Sequence, residues 1–303
     1  MFPRPRPRRR PTPPQGRRPA AGAGSWGPVA ACLAALLLAP LAQAYQADIH
    51  QRLTFLGARE FNRCNASLAV PPLTALQIRY IVRGAVEEGD SRLGRMFRWR
   101  YYSPRDESAR LLWLVETRLG RRFDRAVRDF REAEDDAQRY RALGVVLYYL
   151  QLMTSPPHVV PIYQPRFWLG QLDDAFNRYP VDAERVAEAL DGWCPDRAAL
   201  PRGGFEALLD ATARRTREAL LEPLPDFGED WQVFWRMDPD PEAFGSYGPA
   251  GNHFGKETRF DCAAGRCVLL RDDPLYQAFA AERHAEAIRV TVRTLMGVQA
   301  ERE

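Results

Sequence analysis

The chain contains one lysine, Lys256, and four histidines, His50, His158, His253 and His284. Its 43 basic residues are therefore almost all arginine, a bias that looks like codon usage and carries no function by itself. So small a histidine count caps any multi-metal centre built on imidazole. There is no glycine-rich phosphate loop, no Gly-x-Ser-x-Gly and no cysteine–histidine catalytic pair, so three common nucleotide and acyl-transfer chemistries lose their signature. No Ser/Gly linker and no repeat divides the chain, and no apolar run reaches the roughly 20 residues that a membrane span needs. The longest such run, Val29 to Ala44, is closer to the core of a signal peptide.

Residues 1–44 hold seven arginines and no acid, and they are rich in proline and alanine. The segment ends Ala42-Gln43-Ala44, the small-residue spacing that signal peptidase prefers. The expectation is a leader and signal peptide over 1–44, a first mature residue at Tyr45, and a secreted or periplasmic protein. The whole chain carries +4; without the seven leader arginines, residues 45–303 carry about −3. Basic residues alternate with acids along helical stretches such as Arg118 to Glu134, which describes a solvated, ion-paired surface with no strong nucleic-acid footprint.

Cys32 lies in the leader, so four cysteines remain, and an even number in an exported chain points to disulfides. Four cysteines allow three pairings. Cys262 and Cys267 bracket a glycine turn between the extended runs Thr258 to Asp261 and Val268 to Leu270. A local hairpin bridge is the most natural of the three, and it leaves Cys64 with Cys194.

Apolar spacing near 3.6 predicts helices over 49–63, 73–88, 107–119, 123–134, 137–153, 183–190, 205–221 and 275–295. One all-α domain over 45–303, with a small disulfide-closed β-hairpin near the C-terminus, is the expected architecture. The longest irregular stretch, 238–255, alternates glycine with aromatic residues. Its bland reading is a cover over the bundle. Trp231-Gln-Val-Phe-Trp-Arg236 predicts a helical aromatic face, either buried or, for an envelope or membrane-surface protein, exposed.

The stretch Ala142 to His158 is apolar nearly all round, as a central helix would be. It resembles the signature helix of the zinc-dependent phospholipase C and single-strand nuclease family, in which His-x-x-x-Asp-x-x-x-x-x-His binds zinc; the spacing maps those ligands to Tyr148, Leu152 and His158. Tyr45-Gln-Ala-Asp-Ile-His50 resembles that family's mature start, where an N-terminal aromatic residue binds zinc through its amine and carbonyl and a histidine joins it. The segment ending at Asp90 resembles the helix end that delivers a ligand aspartate. Arg98-Trp-Arg-Tyr-Tyr-Ser-Pro104 resembles a tryptophan–histidine–aromatic–proline segment, with Arg100 in the place of the histidine.

The resemblance implies a helical bundle holding three zinc ions and a phosphoric diester hydrolase acting on phospholipid or nucleic acid. This sequence departs from it at the ligands. A leucine has no lone pair to offer and a guanidinium repels a dication, while a phenol with a pKa near 10 ligates only as phenolate. The remnants Tyr45, His50, Asp90 and His158 would be shared among three different ions. Zinc, if retained, is expected in reduced number. Three of the histidines also have a structural reading: His50 as a polar residue in a first helical turn, His158 as a helix-end cap, His284 as a surface residue.

Two functional classes follow. A catalytically degenerate family member would use the scaffold to bind a phospholipid or phosphodiester ligand. A working metal-dependent hydrolase would rebuild its site from His50, His158, His253 and the acids Asp90, Asp173 or Asp174.

Overall fold

The computed structural model describes residues 47–68, 70–90, 98–102, 116–160, 162, 174–196, 203–240 and 244–300. All of them fall within one compact unit, Ala42–Glu303; the expected leader, 1–44, lies outside the described residues. Among the described residues there are eight α-helices and four two-stranded sheets. The protein is mainly helical, as the periodicity predicts, with more strand than a single hairpin. No helix in this part is long and apolar enough to cross a membrane.

The centre is α4, Asp136–Leu152, packed by α1 (Ala47–Leu68), α2 (Ala75–Asp90), α3 (Gly120–Arg131) and the long C-terminal α8 (Pro274–Ala300). Asp135 starts α4 as a cap, its carboxylate accepting from the backbone N–H of Gln138 at 2.7 Å. From Val146 to Leu152 every residue of α4 is buried, which is why its sequence shows no polar stripe. Two glycines set the closest crossing. A Cβ on Gly84 of α2 would run into the carbonyl oxygen of Arg141, and one on Gly144 of α4 would run into that of Ile81. Backbone meets backbone there, so no larger residue fits.

After α4 come a short buried helix, α5 (Pro156–Val159), then α6 (Ala183–Ala189) and α7 (Gly204–Ala219). The disulfide Cys64–Cys194 ties the end of α1 to the segment after α6, across 130 residues. The antiparallel hairpin Thr258–Cys262 with Gly265–Leu269 is closed by Cys262–Cys267. Gly265, at φ 108°, makes its turn.

Two expectations fail. Residues 116–118, read as the end of a helix over 107–119, form a strand that pairs in parallel with Arg98–Tyr101; residues 107–115 lie outside the described residues. The stretch 231–236 is one 3₁₀ turn, Trp231–Val233, followed by a short strand, Trp235–Arg236, paired with Ser246–Tyr247. Its aromatics satisfy a 3.6-residue period, but their rings are drawn into one cluster with Phe176, Phe254 and Phe279 on other elements. Burial in that cluster, not helix propensity, shapes the backbone.

Candidate functional site

The C-terminal half of α4 carries the residues matched to zinc ligands, and its surroundings define the candidate site. His50, in the first turns of α1, is fully buried. Its Nδ1 lies 2.8 Å from Oε1 of Gln151. The amide nitrogen of Gln151 donates to the hydroxyls of Thr54 at 3.0 Å and Thr291 at 3.1 Å, and Thr291 passes its own proton to the carbonyl of Ala287. With both amide protons committed to hydroxyls, Oε1 is the acceptor, so Nδ1 of His50 carries the proton. Three helices, α1, α4 and α8, are joined by this one buried amide.

Tyr148, which the resemblance would align with the first signature histidine, is also fully buried; its ring lies 4.3 Å from that of His50, centroid to centroid, and 5.4 Å from that of Tyr149. Tyr149 donates to Glu88 at 2.6 Å, and Arg122 holds the same carboxylate at 3.1 Å. Leu152, which the resemblance would align with a bridging aspartate, is wholly enclosed. His158 sits in α5 at 6% exposure, its backbone N–H bonded to the carbonyl of Ser155 and its own carbonyl accepting from Tyr102. It is the third residue of a four-residue helix whose caps are Ser155 and Val160.

Asp174 is fully buried and serves the fold. One oxygen accepts from the indole N–H of Trp235 at 2.9 Å and the hydroxyl of Tyr247 at 3.0 Å; the other accepts from the backbone of Phe176 at 2.8 Å. Burial pushes its pKa up, against the lowering effect of those donors. By holding Trp235 and Tyr247 it anchors the aromatic stretch to the turn after α5. His253 stays local, its Nδ1 3.0 Å from the carbonyl of Ala250.

His284 is not a surface residue. It is fully enclosed in α8, 5.9 Å from the ring of Phe176, and burial drives its pKa down to about 3, with the nearby Arg52 adding to the shift. The flanking Arg283 and Glu286 suggested a polar face, but they are buried as well. Glu286 is gripped by Arg215 at 2.6 Å and Arg293 at 3.2 Å. Ion pairing therefore let charged residues occupy a packed face that composition alone assigned to solvent.

Among the described residues, no group of three or more histidine, cysteine, aspartate or glutamate side chains is placed to hold a metal ion. Asp90 is the last residue of α2, and Arg100 lies in the strand 98–101; Tyr45 and Asp173 lie outside the described residues.

No protein-family model, curated protein or solved structure matches the chain.

The Gln151 network is the feature that sequence reasoning missed. Its signal was present: Thr54, Gln151 and Thr291 are polar residues at positions where the helical period calls for apolar ones, and three such exceptions on three helices mark a shared buried contact.

Proposed function

We propose that the chain is an exported, catalytically silent relative of the zinc-dependent phospholipase C and nuclease proteins, and that its helical scaffold binds a phospholipid or phosphodiester ligand without cleaving it. The observation that carries this reading is the packing of His50 against Tyr148. Two residues that the resemblance aligns with ligand positions have their rings in close contact, 4.3 Å between centroids and tilted by 43°, in a fully buried setting. Zinc stands about 2 Å from each donor, with its ligands arranged around it. A tilted, close-packed ring pair, with the buried hydrocarbon of Leu152 one helical turn further along α4, favours a packed core in that place. The two disulfides favour an oxidising compartment, in keeping with export.

The rebuilt-hydrolase reading has less support. Asp174 spends its oxygens on three structural donors and His253 bonds its own turn. The membrane-surface reading required Trp231, Phe234 and Trp235 to be exposed, and all three are buried.

The test is elemental analysis of the purified mature protein, together with assays on bis(4-nitrophenyl) phosphate and phosphatidylcholine and a melting curve with and without chelator. The expected outcome is less than one zinc per chain, no turnover and an unchanged melting temperature. Three bound zinc ions with turnover would overturn the proposal.

A further inference from the structure

We draw no further inference here: the strongest candidate, the cleft of about 510 Å³ between α1, α6 and α8, has a floor on which Val186, Leu190 and Ile288 are already buried and a rim on which Arg59 and Arg63 are balanced by Glu60 and Asp191, and nothing in the structure shows what covers it.

Discussion

Gln151 holds His50 through an Oε1···Nδ1 contact of 2.8 Å and, through its amide nitrogen, binds hydroxyls on two further helices. A buried amide with every proton and its oxygen in use fixes the relative register of α1, α4 and α8, because any sliding leaves several polar groups unpaired at once.

Replacing that amide therefore has a predictable cost. Gln151→Leu keeps the volume but strips partners from His50, Thr54 and Thr291, and should destabilise the fold by about 2–4 kcal/mol. Urea unfolding measures it. The double variant with Thr54→Val should lose less than the sum of the two single changes, since both remove the same contact.

His284 makes stability fall with acid. Its folded pKa is near 3, whereas the unfolded chain protonates at the ordinary value of about 6.5. Between those limits the unfolded state binds the extra proton, so stability is complete above pH 6.5 and declines as pH falls, by about 2 kcal/mol at pH 5. Asp174 acts in the opposite sense: its pKa is raised, so its contribution weakens as pH rises from the normal aspartate range towards the folded value. Denaturant titrations of His284→Leu at pH 7 and pH 5 should show a flatter acid limb than the native chain; an identical slope would refute the assignment.

The two disulfides should differ in weight. In the chain-entropy account a loop of 130 residues is worth about 5 kcal/mol and one of 5 residues about 2 kcal/mol. Cys64→Ser with Cys194→Ser should therefore lower the melting temperature far more than Cys262→Ser with Cys267→Ser, by calorimetry.

The α2–α4 crossing tolerates no side chain. Gly144→Ala places a methyl group against the carbonyl of Ile81 and should cost about 3 kcal/mol or more, or prevent folding. Gly297→Ala, in α8 with open space around it, is the control. It should be neutral or stabilising by about 0.5–1 kcal/mol through helix propensity.

Placing a carboxylate at the position that the proposed relationship aligns with a bridging aspartate tests the silent-site proposal directly. Leu152→Asp puts an acid where exposure is zero, and without a cation it should destabilise by about 3 kcal/mol or more. Added zinc should not recover the loss. Recovery of the melting temperature with zinc would show that enough ligands survive nearby.

Helices α1, α2, α3, α6, α7 and α8 were legible in the sequence because a helix packed against a core repeats its apolar residues about every 3.6 positions, and α4 was legible as a run apolar nearly all round. The C-terminal hairpin was legible for a similarly local reason, since Gly265 lies between two short extended runs.

Tertiary structure alone decided what local pattern cannot encode. Trp231 to Trp235 repeat like a helix yet form a turn and a strand, since their rings are claimed by Phe176, Phe254 and Phe279 from distant elements. His284 lies in a charged stretch yet is dry, because Glu286 is satisfied by Arg215 of another helix. Periodicity reports which face of a segment is apolar; what packs on that face, and which charge is left without a partner, depends on groups the segment does not contain.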